Sequence, residues 1–149
     1  MKKLLLILGI VAIMLGCYFY LNNRKVTVID AHHGHYAAQV LVNHLPLSNS
    51  ARIQWWITNQ PEIFSKYKIA HHDAGGPSLI TIFAFGKGYQ EENNEDRLCF
   101  DDMDTPKNCI DKDSIMTVFY SRNGDTEFRF DNVVYIRNKE GQIYQSEEE

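Results

Sequence analysis

From Leu4 to Leu21 the chain runs for eighteen residues without a charge, behind Lys2 and Lys3 and ahead of Arg24 and Lys25. As a helix, such a run is about 27 Å long, close to the hydrocarbon thickness of a bilayer. A helix that is apolar all round has no polar face to turn towards water. Three readings compete: an uncleaved membrane anchor, a cleaved signal peptide and a lipoprotein signal. A signal core is shorter, about 7–15 residues, and ends at a small-x-small site; none follows Leu15. Instead the run continues through Tyr18, Phe19 and Tyr20, aromatics that suit the membrane–water boundary. Met14-Leu15-Gly16-Cys17 keeps the lipoprotein reading open, with Cys17 as the lipidated residue, although four apolar residues after the cysteine fit it poorly. The intact anchor is the expectation. A short N-terminal tail with the large domain exported is the usual orientation, although Arg24 and Lys25 nearly balance Lys2 and Lys3.

Cysteine usage agrees with export. Beyond Cys17 only Cys99 and Cys109 occur, bracketing a short acidic loop. In an oxidising compartment such a pair reads as a disulfide, and closing so short a loop would stabilise the fold by about 2–3 kcal/mol. Two buried free thiols are the other reading.

The expected organisation is a tail over residues 1–3, an anchor over 4–21, one exported domain over 22–145 and an acidic tail over 146–149. The domain is long enough for a core. The stretches 26–32 (VTVIDAH) and 36–42 (YAAQVLV) read as strands around a turn at Gly34. Ile53, Trp56, Ile57, Ile63, Phe64 and Tyr67 recur at helical spacing behind the cap candidates Ser48-Asn49-Ser50. Pro61 either kinks that helix or starts a second one. Strands are expected at 79–85, 97–100, 115–121, 126–130 and 133–137, with Asn123-Gly124 as a type I′ hairpin turn. The class is therefore α+β: an N-terminal transmembrane helix, then a small antiparallel-sheet domain, an apparent meander, with one helical segment packed on it.

Several strings carry a resemblance: Ile53-Gln54-Trp55-Trp56, RLCFDD over 97–102, Thr105-Pro106, Asn108-Cys109-Ile110 and Tyr120-Ser121-Arg122-Asn123. Over essentially its whole length the chain resembles the enterobacterial putative membrane protein family, domain of unknown function 943. The resemblance implies a small single-span envelope protein with no assigned activity. Together with the anchor reading, the expected place is the inner membrane, one pass, with the C-terminal domain in the periplasm; a lipoprotein lipidated at Cys17 is the alternative. The resemblance does not require the histidines.

Those histidines form two clusters, His32, His33 and His35, then His71 and His72 beside Asp73. Imidazole and carboxylate are good ligands for zinc, but neither cluster has a metalloenzyme spacing. At a strand end His32 and His33 point to opposite faces. The loop acids invite calcium, but counting from Asp102 the sixth position is Lys107, where an EF-hand needs glycine, and the twelfth is Asp113 instead of glutamate. No metal or other cofactor is expected. From Glu91 to Asp113 nine acidic residues face three basic ones, a net of −6 against −4 for the whole chain. This is either a solvated loop or a docking face for a basic partner, with Asp101, Asp102 and Asp104 as its tip. Trp55 and Trp56 lie about 100° apart on a helix, so one is expected in the core and the other at the surface as an interface anchor. There is no nucleophile elbow, phosphate loop or H-E-x-x-H, and the negative charge argues against nucleic acid. The expectation is a non-enzymatic, membrane-anchored module that binds another envelope protein, for example as an immunity protein neutralising a toxin. The alternative is a metal-binding or hydrolytic enzyme built on His32, His33, His35, His71, His72 and Asp73.

Overall fold

The computed structural model describes residues 1–146; the expected acidic tail lies, apart from Ser146, outside the described residues. The first element, α1 (Lys2–Asn23), is a single unbroken helix with none of its residues buried. It is long and apolar enough to cross a membrane, with a mean hydropathy of 2.6 over its most apolar window.

The domain is built on one seven-stranded sheet. Its strands are β1 (Val28–His33), β2 (Ala37–Val42), β3 (Leu79–Ala84), β6 (Ser114–Tyr120), β7 (Thr126–Arg129), β8 (Val134–Arg137) and β9 (Ile143–Gln145), and they lie side by side in that order. Two further strands, β4 (Arg97–Cys99) and β5 (Cys109–Asp111), form a separate ribbon. All neighbours are antiparallel except β2 and β3, which are parallel. The expected meander is therefore interrupted once. The reason is the helix α2 (Asn49–Tyr67) between those two strands: a helical crossover returns the chain to the same end of the sheet, so the next strand runs parallel.

Helix α2 starts at Ser48, whose hydroxyl accepts from the Ala51 N–H at 3.2 Å. Pro61 lies inside one continuous helix, on its exposed side, so no second helix begins there. The helix ends where Lys68 turns left-handed (φ 56°) and Ile69 N–H reaches back to the Phe64 carbonyl. Its apolar stripe of Ile53, Trp56, Ile63 and Phe64 covers Ala38, Val40, Val42, Ile80, Ile82, Met116, Val118 and Phe128. These strand residues alternate, so they form one face of the sheet. Leu41 and Phe83 point the other way and meet Phe100 and Ile110 of the β4–β5 lobe. At this end the molecule is three layers thick: helix, sheet, disulfide lobe. Cys99 and Cys109 sit directly opposite each other on β4 and β5 and are bonded.

The turn at Asn123-Gly124 differs from the type I′ expectation. Gly124 is left-handed (φ 94°), while no positive φ occurs at Asn123. Ser121 N–H bonds to the Asp125 carbonyl, so three residues close the hairpin; a single left-handed glycine is what that loop length needs. Glycine is indispensable at Gly76 for a different reason. A Cβ there would stand 1.8 Å from the Ala70 carbonyl oxygen, where the crossover folds back on itself before β3.

Three outcomes follow for stability, read by denaturant unfolding in detergent. Trp56, 2% exposed, should cost about 3–5 kcal/mol when replaced by alanine. Gly76→Ala should also destabilise strongly, because backbone must move to admit one methyl group. Reducing the disulfide should cost a further ~2–3 kcal/mol.

Candidate functional site

The site begins with an irregularity in β1. Val28 lies opposite Val42, but Asp30 lies opposite Leu41, so one residue, Ile29, is extra. Strict alternation would put Val28, Asp30 and His32 on one face. The bulge instead leaves Val28 against the α2-side core and turns Asp30 and His32, opposite Leu41 and Gln39, to the lobe side.

His32 is 6% exposed, and every part of its ring is engaged. Nδ1 lies 2.8 and 3.0 Å from the two carboxylate oxygens of Asp102. Nε2 lies 2.8 Å from the Tyr89 hydroxyl, and Tyr89 donates its own proton to Asp30. The ring face stacks on Phe100 at 3.8 Å, with the planes 11° apart. Tyr89 has one proton and gives it to Asp30, so its oxygen faces Nε2 while the Asp102 carboxylate faces Nδ1. Burial, and after it the hydrogen bond to Asp30, hold the Tyr89 hydroxyl far above its ordinary pKa, so it stays protonated and keeps donating. The network Asp102–His32–Tyr89–Asp30 joins the edge of the sheet to both ends of the lobe.

Of the acids expected at the docking tip, the structure thus separates one from the others. Asp102, though its side chain is 63% exposed, is partnered to His32. Asp101 and Asp104 are exposed and, among the described residues, make no ion pair. Elsewhere in the lobe Arg97 is nearly buried and bonds Asp111, Glu95, Gln90 and the Glu91 carbonyl. Of the lobe's three basic residues, Arg97 and Lys112 thus pair within it while Lys107 is exposed and, among the described residues, makes no ion pair, so the unpaired surface carries an excess of acids.

Of the remaining candidates only His33 and His35 border the same hollow as His32 and Asp102. Trp56 is core, with its indole N–H donating to Tyr120, so it has no surface role. Trp55 is partly exposed, but it sits on α2, across the sheet from the lobe, so it shares no face with Asp101 and Asp104. Cys17 is exposed on α1. His33 and His35 are exposed at the β1–β2 turn. They line one hollow with His32, Asp101 and Asp102 and another with Lys68 and Gly76, while His71 packs on Phe64 and His72 stacks on Tyr120. Among the described residues no three potential ligands gather as a metal would need. Asp30 and Tyr89 escaped the sequence reading; the one available signal was an aspartate inside a β-branched run, where aspartate is depleted.

These assignments separate under mutation. Tyr89→Phe leaves His32 Nε2 and the Asp30 carboxylate without their partner and should cost about 1–3 kcal/mol. Asp102→Ala should cost about 1 kcal/mol, water screening its exposed carboxylate. Asp101→Asn with Asp104→Asn should stay within about 0.5 kcal/mol of the parent. Urea unfolding curves for the four proteins give the order.

No curated protein and no solved structure matches the chain. A family model, however, matches residues 1–147, nearly the entire chain and α1 with it. An apolar leading helix joined to an α+β domain with a stapled acidic lobe is thus the form taken here by a member of the enterobacterial putative membrane protein family, domain of unknown function 943, to which this chain belongs.

Proposed function

We propose that this protein is a single-pass inner-membrane protein with its C-terminal domain in the periplasm, working as a non-catalytic interaction module that docks a basic partner on its disulfide lobe. The observation that carries the reading is the division of labour within the lobe. Arg97 and Lys112 are paired with Glu95, Asp111 and Asp96, while Glu91, Glu92, Asp101, Asp104 and Asp113 stand exposed without an ion pair among the described residues, against Lys107 as the one exposed unpaired cation of residues 91–113. Such a predominantly acidic surface steers a basic partner and sets its register. The disulfide and the His32 network hold the surface in place beforehand, which lowers the ordering cost of binding. An immunity protein that captures a toxin is one concrete form of this activity.

The hydrolytic alternative gains little from the geometry. Both nitrogens of His32, the buried histidine among the described residues, are spent on Asp102 and Tyr89, so that ring is not free to take a substrate proton.

Two experiments test the proposal. Alkaline phosphatase fused after residue 149 should be active in cells if the C-terminus is exported; an inactive fusion refutes the orientation. A photo-crosslinking residue at position 101 or 104 should yield a discrete protein adduct in the envelope, and one at exposed Arg129 should not. The adduct formed from position 101 should weaken when Glu91, Glu92 and Asp104 become the corresponding amides, with the fold unchanged. Undiminished crosslinking in that variant would remove the acidic surface from the interaction.

A further inference from the structure

The end of α1 is built into the domain. The Asn22 side-chain oxygen accepts from the backbone N–H of Ser48, the residue that caps α2, at 2.9 Å. Three residues past the helix end, Val26 already packs against the main core. Between this junction and α2 runs a trough made of two adjoining hollows of about 320 and 480 Å³. Lys25, Val26, Trp55 and Asn59 line both. Arg24 closes the end nearest α1, and Lys66 and Tyr67 the other.

The chemistry of this trough is the reverse of the lobe's. Arg24, Lys25 and Lys66 are exposed, and among the described residues none of them pairs with a carboxylate. The Lys66 ammonium rests over the Tyr67 ring at 5.4 Å. Glu62 is the one acid along the wall. Trp55 supplies a large, partly exposed apolar surface shared by both hollows. Position adds a second constraint. Tyr18, Phe19 and Tyr20 are 43%, 59% and 71% exposed around α1, where aromatic rings mark the membrane boundary. Asn23 ends the helix three residues later, about 5 Å further on, within a headgroup layer about 5–7 Å deep on each side.

We propose that this trough holds the headgroup of an anionic phospholipid, its phosphate between Lys25 and Lys66 and its glycerol and upper acyl carbons against Trp55. The proposal rests on α1 spanning the membrane. Continuity with α1 selects a lipid as the occupant, because the mouth of the trough opens where headgroups lie. Charge selects an anionic one. It makes no use of the acidic lobe, and it holds whichever way the chain is oriented.

The test uses the full chain in neutral detergent, titrated with phosphatidylglycerol or with phosphatidylcholine of the same acyl chains. Lipid retention is counted by native mass spectrometry, and tryptophan fluorescence reports on Trp55. Basic residues at a membrane surface contribute about fivefold in affinity each. Lys25→Gln with Lys66→Gln should therefore weaken phosphatidylglycerol about 25-fold and leave phosphatidylcholine almost unchanged. Both lysines are exposed, so an unaltered melting temperature should accompany the loss. The fluorescence response should vanish in Trp55→Phe, and glycerol phosphate without acyl chains should not compete. Equal retention of the two lipids by the parent, or undiminished retention by the double variant, overturns the proposal. Competition by glycerol phosphate at the lipid's own affinity also overturns it, by making the trough a soluble-anion site. Alkaline carbonate extraction of cell membranes distinguishes the two levels: a chain that is released refutes the membrane-spanning reading, whereas a chain that is retained without lipid preference refutes this inference alone.

Discussion

Taking an imidazole out of water forfeits its hydrogen bonds unless the protein replaces each of them. His32 is a case of full replacement: a carboxylate at one nitrogen, a phenol at the other, an aromatic ring across one face. The partners come from three separate stretches, Asp30 from β1, Tyr89 from the loop after β3, and Asp102 from the turn after β4. Sheet, connecting loop and lobe therefore share one polar hub, beside the small apolar cluster of Leu41, Phe83, Phe100 and Ile110. That cluster alone is modest. The hub adds direction to it, since hydrogen bonds fix an angle where apolar contact fixes only proximity.

The charge distribution then takes on a pattern. On one side of the sheet the lobe pairs two of its three cations internally and shows an excess of carboxylates. On the other side, beside α2 and the end of α1, the exposed charges are mostly lysine and arginine. A whole-chain charge of −4 conceals this separation. Net charge speaks for solubility and general affinity, whereas separated fields favour two partners of opposite sign at once.

Much of the fold was legible in the sequence, because the signals involved were local. The apolar run over 4–21, the helical spacing from Ile53 to Tyr67 and the alternating strands each depend on neighbours within a few residues. The parallel pairing of β2 with β3 was less visible, since it follows from where a crossover lands and no residue announces that. The short strands β5 and β9, three residues each, fall below the length at which alternation can be read. At the site, His32 and His33 did diverge to opposite faces, one buried and one exposed. The bulge at Ile29 broke the alternation that would have predicted Asp30's direction, and the Asp102–His32 contact spans 70 residues. Asp102 therefore read as one more loop carboxylate, though it is a bonding partner of a buried ring.

The short junction between α1 and the domain has a geometric consequence. Asn22 is hydrogen-bonded to the cap of α2, and Val26 is already in the core, so only three residues separate the two. A flexible tether lets a domain tumble and sample a hemisphere; this one permits little swing. With α1 upright in a bilayer, the domain would ride at a nearly constant height and tilt, free mainly to turn about the helix axis and to drift sideways. A partner in the same membrane would then meet it by searching two dimensions and one angle, while a freely diffusing partner would have to descend to a fixed level.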